Sequence, residues 1–169
     1  MIPGASKLGR ERGTLSVAGI DLAAEVARLA PLRAFGGPRG PLARRHPELH
    51  VRRAGARPRS CLGRAWPEEW RISVTAYPGI RAGDAFETLV HELAHLCVGR
   101  GRGSRRWHGA RFRAMLHAAI GEAYGVAVEP SPNCYHGHYA EALERGLAIQ
   151  PRLFDLDAPA AQAKLRRVA

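Results

Sequence analysis

The sequence predicts one α+β domain in which a small antiparallel sheet packs against a buried helix and its neighbouring helices. Residues 48–76 contain short stretches of alternating polar and apolar side chains, which is the pattern of strands. Residues 85–98 are apolar on nearly every side, and residues 108–124 repeat apolar side chains at helical spacing. With 169 residues and 46% hydrophobic composition, the chain can bury one core without disulfides.

The first half of the chain is predicted to contain one helix followed by three strands. Apolar side chains recur at helical spacing from Ile20 to Ala34, so an amphipathic helix is expected there, ending before the glycines at 36 and 37. The three predicted strands span residues 48–54, 60–66 and 70–76. Because turn-forming residues separate neighbouring strands, the expected arrangement is an antiparallel meander.

The second half of the chain is predicted to be helical. Asp84 and Glu87 have the spacing of a capping box, in which each side chain satisfies a backbone N–H at the start of a helix. A helix is therefore expected over residues 85–98, and a second one from about His108 to Tyr124. A basic, glycine-rich loop at residues 100–106 separates these two helices, and beyond Pro130 and Pro132 a short helix should begin near Tyr139.

The predicted domain covers residues 14–150, between a mobile basic tail at 1–13 and a C-terminal tail at 151–169. Three widely spaced cysteines without a Cys-x-x-Cys pair argue against a disulfide framework or a zinc ribbon and fit a reducing compartment. No apolar run is long enough for a signal peptide or a membrane span. The sequence therefore indicates a cytoplasmic protein without a membrane partner, and it leaves the oligomeric state open.

The strongest chemical signal is the HExxH arrangement at residues 91–95, inside the predicted helix. Residues four apart on a helix lie about 40° apart around its axis, so His91 and His95 can converge on one metal ion. Glu92 is offset from His91 by about 100°, which places its carboxylate beside the ion, where a general base acts. Neutral imidazoles and an open coordination position suit Zn²⁺ in hydrolytic sites.

A catalytic zinc site needs a third protein ligand, and His108 is the strongest candidate. It follows the glycine-rich loop, Gly109 lets the backbone approach the metal, and Phe112 is expected to pack one turn later. The alternatives are that His108 only caps the helix, and that His117 or Glu122 is the ligand. His117 lies about 180° from His108 around the same helix and should face away.

These residues resemble a known family. The SprT-like metallopeptidases, a zincin group that includes the DNA–protein crosslink protease Spartan and is related to the WLM domains, carry a motif similar to residues 91–95 followed by His108, Gly109 and Phe112. Residues 61–66 and the strand at 71–74 are also similar to the strand region that precedes the family's metal helix. The resemblance spans roughly residues 15–130.

The resemblance implies a zincin-like fold, one Zn²⁺ per chain held by His91, His95 and His108, and Glu92 as the catalytic acid and base. It also implies protein substrates bound at or near DNA. Many family members append a cysteine-rich zinc ribbon; here only Cys134 follows the core, so that module is not expected.

The net charge of +11 is carried almost wholly by arginine and is concentrated before and beside the metal motif. Such charge attracts nucleic acid without sequence preference, although a GC-rich genome also produces an arginine excess. The candidates for phosphate contact, with a solvated face as the alternative, are Arg100, Arg102, Arg105, Arg106 and Arg111.

Several weaker candidates remain beside the metal motif. Cys134, His136 and His138 could form a second metal site, His136 could assist the oxyanion, or the segment could be a solvated loop. Tyr124 or Tyr135 could donate to the tetrahedral intermediate or simply pack. Trp107 could line the substrate groove or form a core wedge.

The function expected from the sequence is a zinc-dependent endopeptidase that cleaves proteins associated with DNA. The alternatives are a basic, zinc-stabilised nucleic-acid-binding adaptor without significant protease activity, and another zincin hydrolase, either repressor-cleaving or WLM-related. Glu92 favours an enzyme, because a structural zinc site does not need an unliganded carboxylate at that position.

Overall fold

The computed structural model describes residues 15–99, 107–134 and 136–149, with side chains as far as residue 146. The predicted tails at 1–13 and 151–169 and most of the basic loop lie outside these residues, so the predicted domain limits stay a prediction. None of the described helices combines the length and the apolarity needed to cross a bilayer.

The described chain begins with a two-residue hairpin and a short helix. Strands β1 (Ser16–Val17) and β2 (Ile20–Asp21) pair antiparallel, and helix α1 spans Leu22–Leu29. Asp21 ends β2 and caps α1, since its Oδ1 accepts from the N–H groups of Ala23 and Ala24. The helix predicted over residues 20–34 was therefore too long. Pro31 has no backbone N–H with which to continue the helical hydrogen bonds, and two short 3₁₀ turns follow, Arg33–Phe35 and Gly37–Arg39.

After the short helix α2 (Pro41–Arg44), a three-stranded mixed sheet forms in the order β3-β5-β4. Its strands are β3 (Glu48–Arg53), β4 (Gly63–Trp66) and β5 (Arg71–Ala76). β4 and β5 pair antiparallel across a tight turn, but β3 pairs parallel to β5 on its other edge. The predicted antiparallel meander is wrong in this respect. Side chains alternate in the same way in parallel and antiparallel strands, so the sequence pattern does not distinguish the two pairings.

The central helix α3 (Ala82–Val98) packs between this sheet and the last two helices. Every residue from Gly83 to Leu96 is buried, as the apolar sequence predicts. The predicted capping box is wrong, because α3 begins two residues before Asp84, and the N–H of Gly83 in its first turn donates to the Glu144 carboxylate of the last helix. Asp84 instead pairs with Arg81, and Glu87 accepts hydrogen bonds from the segment that leads into the last helix.

Helix α4 (Ala110–Tyr124) follows the predicted span and ends at Gly125, whose left-handed φ of 63° suits glycine. Helix α5 (Ala140–Ile149) begins next to the predicted position and packs closely on α3. A Cβ on Gly83 would clash with the carbonyl oxygen of Ala140, so glycine permits this contact. The mixed α and β composition agrees with the predicted fold class.

A buried polar cluster joins α1 to α4. The Glu25 carboxylate is fully buried; it accepts from the Tyr124 hydroxyl at 2.7 Å and from the Arg28 guanidinium at 2.6 and 3.0 Å. Arg28 also donates to the carbonyl oxygen of Ala123. These bonds give a buried charge the partners that it needs, and they hold α4 in position against the core.

Candidate metal centre

Helix α3 and the start of α4 bring three imidazoles together. His91 and His95 lie one turn apart on the buried face of α3, and His108 comes from the segment just before α4. The three Nε2 atoms are each 3.1 Å from the other two. Arg113 donates to the carbonyl oxygen of His108 at 2.8 Å, which fixes the backbone of the third histidine.

This triangle of nitrogens does not satisfy itself by hydrogen bonds. A neutral imidazole nitrogen is either a donor or an acceptor, so among three mutually close nitrogens at least two have the same role. A cation removes the conflict, because all three then offer lone pairs. A point about 2.1 Å from each nitrogen lies about 1 Å above their plane, which suits the Zn–N distance and leaves one side open for a further ligand. The three residues therefore fit a zinc ion.

The protonation of these histidines also fits a metal. Burial, together with the neighbouring imidazoles, lowers the pKa of His91 to about 2 and that of His95 to about 3. Burial lowers the pKa of His108 as well, although His108 is the most exposed of the three. All three are therefore neutral near pH 7, which is the form that binds metal.

Aromatic rings pack around the cluster. The Phe112 ring stacks on His95 with a centroid distance of 4.2 Å and also lies 4.9 Å from His91 and from His108. Trp107 lies edge-on to His95 at 5.5 Å and is 41% exposed, so it forms part of the rim and is not a core wedge. The predicted packing of Phe112 beside the histidines is confirmed.

Glu92 follows His91 on α3, and its buried carboxylate lies against strand β4. Burial raises the pKa of its carboxyl to about 8, against the opposing charge of Arg64. A Cβ built on Gly63 would lie 2.6 Å from Glu92 Oε1 and 2.7 Å from Thr88 Cγ2. Gly63 therefore lets the backbone of β4 approach Glu92 closely, a contact that the sequence reading missed because the two residues are distant in the chain.

The alternative third ligands have other partners. His117 lies beside the Tyr139 hydroxyl, with its Nδ1 3.4 Å away, and the Glu122 carboxylate accepts from the N–H groups of Arg33 and Ala34. Neither belongs to the three-histidine cluster. Across the part of the chain that the structure describes, that cluster is the one group of three or more His, Cys, Asp or Glu whose ligand atoms converge.

The segment after Pro132 contributes one histidine to the surroundings of the cluster. The His136 ring centroid is 4.9 Å from that of His91, and burial lowers the pKa of His136. His138 instead contacts the carbonyl oxygen of Glu129 at 2.7 Å. Because Cys134, His136 and His138 do not converge, the second metal site considered from the sequence is wrong.

A cavity of about 680 Å³ opens beside the cluster, and His108 and His136 form part of its wall. Its other lining residues are Arg57, Pro58, Arg59, Ser60, Cys61, Leu62, Asn133 and Cys134. The Tyr124 hydroxyl is bound to Glu25, so it is not a donor toward this site. Tyr135, Arg100, Arg102, Arg105 and Arg106 lie outside the described residues, and Arg111 is exposed on α4.

Comparison with known proteins agrees with this arrangement. The sequence model of the SprT-like family matches residues 33–133, which include the sheet, α3 and the three histidines. The chain belongs to the SprT-like family. Within the family, it is 33% identical over 84 residues to Protein SprT of Erwinia tasmaniensis, a match that covers 47% of this chain and 47% of that protein. The chain thus spans about half the length of the relative that it matches. No solved structure matches it.

Proposed function

We propose that this SprT-like chain is a zinc-dependent endopeptidase in which His91, His95 and His108 hold one Zn²⁺ and Glu92 is the general base. The observation that carries the proposal is the triangle of three neutral Nε2 atoms at 3.1 Å, next to a buried carboxylate that is not part of it. A structural zinc site has no use for such a carboxylate.

Zn²⁺ at this position supplies Lewis-acid chemistry, which polarises a carbonyl and makes water easier to deprotonate. The pKa of about 8 applies without a cation, and a Zn²⁺ bound nearby would favour the ionised carboxylate. In that form Glu92 would take a proton from the attacking water and later give it to the leaving amine. Glu92 follows His91 directly on α3, and its carboxylate lies against Gly63. Phe112 and Trp107 pack against the His95 ring and help to hold it in place.

The outer edge of strand β4 favours a peptide as the substrate. β4 pairs with β5 on one side, and no other described strand pairs with its outer edge. Since Gly63 of β4 touches Glu92, a peptide that lies along this edge in an extended conformation passes the general base. Backbone groups at the edge can bind such a peptide whatever its side chains.

The substrates that we propose are proteins associated with DNA, and the support is electrostatic. The net charge is +11, and the segment from residue 100 to 117 has six arginines and no acid. Four of these arginines lie between the second and third histidines of the site and two lie just beyond, so a bound phosphate backbone would lie close to the catalytic groove. The three cysteines are free thiols, which is consistent with the cytoplasmic location that we also propose.

The test is cleavage of a DNA-binding protein by purified, zinc-loaded protein, with and without DNA. Wild-type protein should cleave, and Glu92→Gln should keep its zinc and its fold but lose activity by about 10²–10⁴-fold. Turnover by the variant at the wild-type rate would remove Glu92 from its role. Zinc binding and DNA binding without any cleavage would favour the adaptor instead.

A further inference from the structure

The hydrogen bonds among the described residues do not explain why the His136 ring is held in its position. Its ring lies 4.9 Å from the His91 ring, with an angle of 35° between the ring planes, and it is not part of the three-histidine group. Its Nδ1 is buried and has no hydrogen-bond partner among the described residues. Buried polar atoms without a partner are rare, and each one needs an explanation such as a ligand that is absent.

The His136 ring borders the cavity beside the three-histidine cluster, and because its Nδ1 is buried, Nε2 is the nitrogen that can donate into this space. His136 and His108 line the same cavity, so one wall of this space carries both a histidine of the cluster and a histidine that stands beside it. The other groups considered from the sequence as donors are Tyr124 and Tyr135. Of these, Tyr124 donates to Glu25, and Tyr135 lies outside the described residues.

Glu87 fixes the turn that carries His136. The Gly137 N–H lies 3.0 Å from both carboxylate oxygens of Glu87, and the Ala140 N–H donates to one of them at 2.7 Å. Gly137 has a φ of 101°, a conformation that favours glycine. Glu87 is on α3, one turn before His91, so the helix that carries two of the clustered histidines also sets the position of His136.

We propose that His136 is a further catalytic residue, which donates a hydrogen bond from its ring N–H to the oxygen of the scissile carbonyl as that oxygen becomes negative. This inference rests on the proposed peptidase function. No proton needs to transfer, because the bond to the oxygen strengthens as attack of water places charge on it. Glu87 acts through His136 and is a positioning residue.

The test compares two variants that differ in the N–H donor. His136→Phe keeps a ring of similar size without a donor, and His136→Gln keeps a side-chain N–H. Three quantities are measured on zinc-loaded protein: zinc content, kcat and KM for a short unstructured peptide, and the Kd of a phosphinic peptide, whose tetrahedral phosphorus group mimics the oxyanion. The last quantity needs no turnover.

His136→Phe should keep its zinc and its KM, while kcat falls by about 10²–10³-fold and the phosphinic peptide binds more weakly by a similar factor. His136→Gln should recover part of both losses. If His136→Phe does not fold, His136→Leu and His136→Gln form the comparison, since they are similar in size and differ in the donor. His138→Phe is the matched control; it changes a neighbouring histidine that contacts Glu129 and should leave all three quantities unchanged.

A His136→Phe variant with wild-type kcat and wild-type affinity for the phosphinic peptide would overturn the inference and leave the peptidase function intact. Loss of zinc in that variant would also overturn it, because His136 would then support the metal site. If zinc-loaded wild-type protein cleaves neither peptide nor protein, the proposed function fails, and this inference fails with it.

Discussion

At the scale of single residues, the three clustered histidines come from two separate segments of the chain. His91 and His95 take their relative position from the helix, whereas His108 depends on the loop before α4 and on Arg113, which holds its carbonyl oxygen. Each supplies one neutral nitrogen, and burial keeps it neutral. The cluster therefore needs all three residues and is available to metal without prior loss of a proton.

Removal of any one of these histidines should empty the site. His91→Ala, His95→Ala and His108→Ala each leave two nitrogens, so we expect the bound zinc to fall from one per chain to a small fraction after dialysis. Metal analysis of the purified proteins measures it. His117→Ala is the control, since His117 lies outside the cluster and contacts Tyr139. Full zinc occupancy in His108→Ala would exclude that residue as a ligand.

Position 63 requires glycine, because Glu92 occupies the space that a Cβ would fill. In Gly63→Ala, either the carboxylate or the strand must shift, and we expect a loss of stability of about 1–3 kcal/mol together with at least a tenfold loss of kcat/KM. Urea unfolding and peptide cleavage measure the two effects.

The matched control is Gly121→Ala on α4, where an added Cβ meets no atom within 4 Å. Alanine is the better helix former, so this variant should be as stable as the wild type or more so, with unchanged activity. If Gly63→Ala behaves in the same way, β4 does not restrict Glu92.

At the scale of elements, α3 is held on three sides, and each contact carries a part of the site. The sheet brings β4 to Glu92, α4 brings His108 and Phe112, and the turn before α5 brings His136. Glu87 is the buried group that binds this turn to α3, and burial raises its pKa from 4.5 to about 7, against the N–H groups that it accepts from.

The pKa of Glu87 predicts how the attachment of α5 depends on pH. In the unfolded chain, Glu87 ionises near its ordinary pKa of about 4.5, whereas in the folded protein it keeps its proton to about pH 7. The stabilising contribution of this proton is complete below pH 4.5 and is lost as the pH rises to 7. The free energy of unfolding should therefore decline over this range, and Glu87→Gln should remove about 1–3 kcal/mol of that decline.

Urea unfolding of wild type and variant at several pH values measures the difference between them. Glu141→Gln, at an exposed position on α5, is the control and should leave the pH dependence unchanged. Parallel curves for wild type and Glu87→Gln would mean that Glu87 is ionised in the folded protein across the whole range.

At the scale of the whole molecule, the charge distribution is the feature with consequences for partners. The basic side chains are concentrated in residues 1–60 and 100–117. Residues 61–99, which contain β4, β5 and α3, have a small net negative charge. With this distribution, a polyanion should be attracted more strongly to the basic segments than to the rest of the protein.

We predict that DNA binds through the basic loop at residues 100–106, with residues 1–60 contributing, and that it raises proteolysis by holding substrate and enzyme together. The logarithm of the affinity should then fall linearly with the logarithm of the salt concentration, with a slope of about −0.9 per duplex phosphate neutralised. Replacement of Arg102, Arg105 and Arg106 with alanine should flatten this slope and lower DNA-dependent cleavage. Zinc content and cleavage of a small peptide should not change.

Replacement of Arg145, Arg166 and Arg167 with alanine is the matched control. It removes the same charge from residues 118–169, which are not basic overall. Binding that does not respond to salt, or that falls equally in the two triple variants, would show that the loop is a solvated face and that the charge reflects composition.

The sequence by itself determined the parts of this protein that depend on near neighbours in the chain. The positions of His91, Glu92 and His95 follow from helical geometry. The span of α3 follows from a nearly continuous apolar run, and that of α4 from apolar periodicity over four turns. His108 could be predicted as a third member because the motif around it resembles a known family. The ends of the helices were less certain, since Asp21 and Pro31 set the limits of α1 more strongly than its periodicity did.

Only the tertiary structure decided the contacts between residues that are distant in the chain. The parallel pairing of β3 with β5, the use of Glu87 to hold the turn before α5, the approach of Gly63 to Glu92 and the position of His136 beside His91 all join residues more than 15 positions apart. Side-chain alternation does not encode the direction of a partner strand. Likewise, the sequence does not show whether a buried glutamate caps its own helix or binds another segment. The physical reason is that packing, not local propensity, determines which distant groups share one buried space.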